Sequence, residues 1–86
     1  MSISVSDAIP AAIRAVLYDT GRDAKAVEPE MLLSSDLGLD SLDLAQTIVL
    51  LERSLGVDPF RSAGGTRAAI RTVADLAAIY TEALSR

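Results

Sequence analysis

The sequence predicts an all-α fold, a small bundle of three to four helices, on three observations. Apolar residues recur at helical spacing in three separate stretches, none alternates at the period of a strand for long enough to matter, and 86 residues suffice for one core only. A chain this short has a thin margin of stability, about 5 kcal/mol at the low end of the usual range. It contains no Cys and no His, so neither a disulfide nor the commonest metal ligands can supplement packing. Residues 1–86 therefore read as a single domain held by its core, with no metal site.

The first helix is predicted from about Ser6 to Thr20. Ile9, Ile13, Val16 and Leu17 fall on one face, Pro10 lies early enough that its missing amide proton costs little, and Gly21 follows as a stop. The long connection that comes next contains Val27, Met31, Leu32, Leu33, Leu37 and Leu39. A structureless loop of that length would be unusual, so these residues predict a loop packed over the bundle.

The second helix runs from Ser41 to about Leu55 and ends at Gly56 and Pro59. With successive residues about 100° apart around the helix, Leu44, Ile48, Leu51 and Leu55 share a narrow sector with Ala45 at its edge, which predicts the core face. Leu42, Gln46, Val49 and Arg53 form a second stripe. The connection beyond holds Pro59 and the Gly64-Gly65 pair and allows a short helix from Thr66 to Ile70. Its "SAGGTR" lacks the Lys and the spacing of a phosphate-binding loop and reads as a turn. The last helix opens at Thr72, where "TVAD" sets an acid three residues after a capping hydroxyl. It carries Val73, Leu76, Ala77, Tyr80, Ala83 and Leu84 on one stripe.

Twelve acids against eight bases give a net charge of −4, unevenly placed. From Glu28 to Asp58 there are seven acids and one base, Arg53, whereas the rest of the chain holds five acids and seven bases. Nucleic acid is excluded as a partner, because neutralising phosphates needs a basic face. A basic protein surface fits the acidic segment. The N-terminal "MSISVSDAIP" has no basic region followed by an apolar run, and no apolar run approaches the roughly 18 residues of a membrane span. These features predict a cytoplasmic protein without membrane insertion.

The stretch "DLGLDSLD", Asp36 to Asp43, contains the chemistry. With Asp40 as the N-cap, Ser41 is the first helical residue and Asp43 the third, so the cap carboxylate can accept from a backbone amide and Asp43 places charge near the positive helix end. That accounts for both acids and not for Ser41. Nucleophilic catalysis by Ser41 is poorly supported, since the chain has no His to act as base and its one lysine, Lys25, lies in a separate loop. A helix N-terminus would stabilise a phosphoryl group attached there. Ser41 therefore reads as a site that another enzyme modifies.

The segment "DLGLDSLDLAQTIVLLERSLGV" resembles the acyl carrier proteins of fatty-acid and polyketide synthesis. In outline the resemblance covers most of the chain, through the first helix, the packed loop, the motif helix, its Gly-Val break and the "TV" at Thr72 and Val73. It implies a bundle of acyl-carrier type in which Ser41 receives 4'-phosphopantetheine from coenzyme A, in a reaction run by a separate Mg-dependent phosphopantetheinyl transferase (a holo-carrier synthase). Asp40, Leu42 and Asp43 complete the motif. The arm would supply the thiol that the chain lacks and hold acyl groups as thioesters. The protein itself would be no enzyme but a monomeric carrier for acyl-loading and acyl-processing enzymes. Leu42 and Val49 have no packing duty in this reading, and with Asp36, Gln46, Glu52 and Arg53 they form the surface that partners would recognise.

Four departures from the family pattern stand out. Leu39 replaces a smaller residue before "DSL", Gln46 and Arg53 stand where acids are common, and the Pro59 to Ile70 connection is several residues long. They weaken the acidic face that general partners recognise, and they fit a specialised carrier with dedicated enzymes and equally ordinary drift. Fourteen alanines and three aromatics are compatible with a core that lodges an acyl chain and equally with any alanine-rich helical protein. Two alternatives stay open. An aminoacyl or peptidyl carrier would share arm and fold, although a single glycine before "DSLD" leans toward the acyl type. In an unmodified interaction module, the Leu42 and Val49 stripe would bind a partner helix.

Overall fold

The computed structural model describes residues 4–21, 26–57, 59–62 and 70–85. Three long helices and one short one follow in order, α1 (Val5–Asp19), α2 (Ser41–Leu55), α3 (Pro59–Ser62) and α4 (Val73–Leu84). Among the described residues the only extended pairing is a single antiparallel bridge between Leu32 and Thr72. The all-α bundle expected from periodicity is the observed fold. No described helix is long and apolar enough to cross a membrane.

Helix α1 forms the centre of the bundle. Ala8, Ile9, Ala12, Ile13, Val16 and Leu17 are all buried, a stripe wide enough for α1 to pack on both α2 and α4. Its N-cap is Ser4, whose hydroxyl accepts from the Asp7 amide at 3.3 Å, so the helix begins slightly before the expected Ser6. Of the three serines in "SISVSD", the one three residues ahead of Asp7 is the cap. At the other end Gly21 adopts a φ of 76°, the left-handed turn that stops a helix without strain only at glycine.

Helix α2 has the expected bounds, with Asp40 as N-cap and Gly56 in the left-handed conformation as C-cap. Its buried face differs from the expected one. Asp43, Thr47, Ile48 and Leu51 are buried, while Leu44 and Leu55 are only half-buried. The helix is rolled toward Asp43 because its polar groups are satisfied locally. The Asp43 carboxylate accepts from the Asp40 amide at 3.2 Å, and the Thr47 hydroxyl donates to the Asp43 carbonyl at 2.9 Å. Burial then costs little, and Leu44 is left at the edge of the core.

The short helix lies at Pro59–Ser62, with proline in the first-turn position that suits it. The short helix expected from Thr66 lies outside the described residues except for its last member, Ile70, which is buried and not helical. Phe60 meets the fully buried Tyr80 ring edge-on, with centroids 6.1 Å apart and planes at 70°, which ties α3 to α4. On α4, Val73, Leu76 and Tyr80 are buried, Ala77 and Ala83 are half-buried, and Leu84 at the frayed end is exposed.

Candidate functional site

The site grows out of the loop before α2. Leu33, Leu37 and Leu39 are buried in the common core and Met31 and Val27 pack against it, as the loop's composition predicted. Leu32 is the exception, exposed at the surface. Backbone hydrogen bonds stitch this loop to the start of α4. The Leu33 amide donates to the Arg71 carbonyl at 2.9 Å, the Val73 amide to Met31 at 3.0 Å, and the Ala74 amide to Pro29 at 2.8 Å. Asp36 closes a tight turn within the loop, its Oδ2 accepting from the Leu32 amide at 2.7 Å. Gly38, at a φ of 69°, turns the chain so that the Leu39 amide can donate to the Leu33 carbonyl at 2.9 Å and Asp40 can enter the helix.

Asp40 and Asp43 then fix the helix start reciprocally. The Asp43 amide donates to Asp40 Oδ1 at 2.8 Å while Asp43 Oδ2 accepts from the Asp40 amide, a capping box with aspartates at both ends. Ser41 lies between them, exposed, and its hydroxyl makes no hydrogen bond among the described residues. The backbone amides of Ser41 and Leu42 are likewise without a partner among the described residues. The motif thus holds the backbone of the serine while leaving its oxygen and two neighbouring donors without a partner among the described residues.

Ser41 stands at the rim of a cleft of about 410 Å³ between α2, the preceding loop and the approach to α4. Leu33, Leu39, Leu44 and Ile70 give the cleft apolar walls; Asp40, Ser41, Ser34 and Arg71 supply its polar rim. The roll of α2 that took Leu44 out of the core delivers it to this cleft. Leu39, the bulky residue ahead of the motif, is 6% exposed and belongs to the wall beneath the serine.

On the outward side of α2, Leu42 is 76% and Val49 47% exposed, and Gln46, Glu52 and Arg53 are exposed with them. Asp36 and Asp40 are exposed on the loop side of the serine. Every sequence-derived site residue except Asp43 is therefore at the surface. Asp43 is 5% exposed and serves the helix start. Sequence reasoning missed Arg71 and Leu44 as neighbours of Ser41. Arg71 reaches the rim through the bridge between Leu32 and Thr72, a pairing with no sequence signal, and Leu44 does so because polar residues took its place in the core.

The arrangement has the features of an attachment point, a presented hydroxyl on a hydrogen-bonded helix start whose flanking carboxylates are engaged in the capping box. Comparison with known proteins adds two findings. The family model described as a phosphopantetheine attachment site matches residues 11–79. A solved structure similar to this chain, with a TM-score of 0.77 and 45% identity, covering 88% of this chain and 67% of its own, is the solution structure of MacpD, an acyl carrier protein from Pseudomonas fluorescens involved in mupirocin biosynthesis.

Proposed function

The chain belongs to the acyl carrier proteins, a family whose prosthetic group is covalent 4'-phosphopantetheine, and from that premise we propose that Ser41 is the attachment residue and that the loaded protein serves a specialised, polyketide-type pathway. The observation that carries the attachment is the exposed Ser41 hydroxyl on a helix start pinned by Asp40 and Asp43. The residues present fit the group: Ser41 is exposed, and neither its oxygen nor the amides of Ser41 and Leu42 have a hydrogen-bond partner among the described residues.

When bound, the arm supplies a thiol on which acyl groups are held as thioesters. The chain's own residues do the positioning. Asp40 and Asp43 hold the backbone of Ser41 so that a transferase can direct its oxygen at the pantetheine-bearing phosphorus of coenzyme A, the pyrophosphate P–O bond breaking and adenosine 3',5'-bisphosphate leaving as the serine phosphodiester forms. The proton that the serine loses passes to a base of that transferase, because nothing beside Ser41 can accept it except carboxylates already engaged in the capping box. Leu42 and Val49, with Gln46, Glu52, Arg53 and Asp36 around them, offer loading and processing enzymes an apolar patch with a polar rim. The 45% identity to a carrier of mupirocin biosynthesis supports the acyl over the aminoacyl reading and the specialised over the general pathway. We place the work in the cytoplasm and the protein as a monomer that partner enzymes act on.

The test is the intact mass of the purified protein and of Ser41→Ala after incubation with coenzyme A, Mg and a broad-specificity phosphopantetheinyl transferase. A gain of one phosphopantetheine on the wild type alone is expected. A gain on the Ser41→Ala protein, or none on the wild type with several transferases, would overturn the assignment.

A further inference from the structure

We propose that Arg71 is a positioning residue for the arm, its guanidinium pairing with the phosphodiester on Ser41 across the mouth of the cleft and so directing the arm along the apolar wall. The inference rests on the reading of Ser41 as the attachment residue. Ser41 and Arg71 lie on the rim of the same cleft of about 410 Å³, and among the described residues Arg71 is the one cation lining it. A long side chain with a planar fork of donors can span such a mouth and suits a phosphate.

The backbone of Arg71 is held from both sides, which sets where the side chain starts. Its amide donates to Asp75 Oδ2 at 3.0 Å, and its carbonyl accepts from the Leu33 amide at 2.9 Å. The guanidinium forms no salt bridge among the described residues, although its charge favours the ionised form of the Asp75 carboxylate. Both nearby carboxylates already accept backbone donors. Asp40 Oδ1 accepts from the Asp43 amide, and Asp75 Oδ2 accepts from the Arg71 and Thr72 amides.

Attachment would add a negative charge at a rim where Asp40 already stands. The open amides of Ser41 and Leu42 and the guanidinium of Arg71 are the groups available to balance it. With the phosphate held by Arg71, the arm leaves Ser41 over Leu39 and Leu44 instead of pointing away from the cleft.

The experiment compares apo and loaded forms of the wild type, Arg71→Gln, Arg71→Lys and Arg14→Gln at low salt. Arg14 is exposed on α1 and provides the same change of charge away from the cleft. Loading is verified by mass, then melting temperature and the 31P resonance of the phosphodiester are read. The apo forms are expected to melt alike. On loading, the change in melting temperature of Arg71→Gln should fall a few degrees short of the wild-type change, Arg71→Lys should lie between, and Arg14→Gln should match the wild type. The 31P resonance should move in Arg71→Gln and stay in Arg14→Gln. Equal melting changes and unmoved 31P resonances in wild type and Arg71→Gln, with loading intact, would overturn the role of Arg71 alone. Failure of the wild type to load would overturn the attachment reading and this inference with it.

Discussion

Helices α2 and α4 begin with the same device and put it to different uses. Each opens on a capping box, Asp40 with Asp43 and Thr72 with Asp75, and each has two residues between the paired side chains. In α4 the first of those is Val73, 5% exposed, and the amides of Val73 and Ala74 donate to the Met31 and Pro29 carbonyls. In α2 the first is Ser41, exposed, and the corresponding amides of Ser41 and Leu42 have no partner among the described residues. One helix start is consumed in holding the loop to the bundle. The other is held equally firmly and left open, which makes an attachment point out of an ordinary helix end.

The largest effect that tests this contrast is functional. Ser41→Ala should lose all loading while its melting temperature stays close to that of the wild type, since the removed hydroxyl bonds to nothing described. A large loss of stability would mean that the serine is part of the structure and the contrast is false. Moving the hydroxyl sharpens the point. Val73→Ser in the Ser41→Ala background gives α4 a serine at the matching position, and it should remain unmodified because that position is buried and its amides are taken. The change should also cost on the order of 2 kcal/mol for the lost apolar burial, read as a lower urea midpoint. Modification at residue 73 would show that presentation matters less than local sequence.

Next in size is the core that α2 and α4 share. Leu51 is fully buried on α2, and Leu51→Ala should lower stability by about 2–5 kcal/mol with loading still possible in the folded fraction. An unchanged denaturation midpoint would place the core face elsewhere on α2.

How far these regions could be read from sequence follows from where their hydrogen bonds go. Bonds that close within a few residues leave a signature, so the α4 capping box, the Asp40 cap, the glycine stop at Gly56 and the α2 bounds from Ser41 to Leu55 were legible, whereas Asp43 was read only as charge near the helix end and in fact also accepts from the Asp40 amide. The packed loop was legible too, because Leu33, Leu37 and Leu39 had nowhere else to go. The roll of α2 was not. A helical wheel weighs hydrophobicity alone and puts Leu44 inside, whereas Asp43 and Thr47, each satisfied by its own helix, could be buried at little cost. The bridge from Leu32 to Thr72 joins residues far apart in sequence without any pattern, so the place of Arg71 on the same cleft as Ser41 had to be seen.

A smaller effect separates the two caps themselves. Asp40→Ala and Thr72→Ala should each cost about 1 kcal/mol of stability, the usual worth of an N-cap. Loading should differ where stability does not. Loss of the Asp40 cap frees the backbone that presents Ser41 and should slow modification, whereas Thr72→Ala leaves that backbone intact. Equal loading rates would show that rigidity of the α2 start is irrelevant to the transferase.

The smallest effect concerns acid. Asp75 is held below its ordinary pKa of 3.8, first by the hydrogen bond from the Thr72 amide and then by that from Arg71, at 3.0 Å each. Both donors favour the charged carboxylate, so the folded protein releases this proton more readily than the unfolded chain does. The resulting stabilisation is complete above the unfolded value near 3.8 and disappears as pH falls through the lower folded value. Asp75→Asn keeps an oxygen acceptor but has no charge to lose. The difference in urea midpoint between wild type and Asp75→Asn should therefore be constant near neutral pH, shrink once the pH drops below 3.8, and vanish in stronger acid. A difference that persists there, where Asp75 is protonated, would mean that the charge of its carboxylate is not what distinguishes it from asparagine at the α4 start.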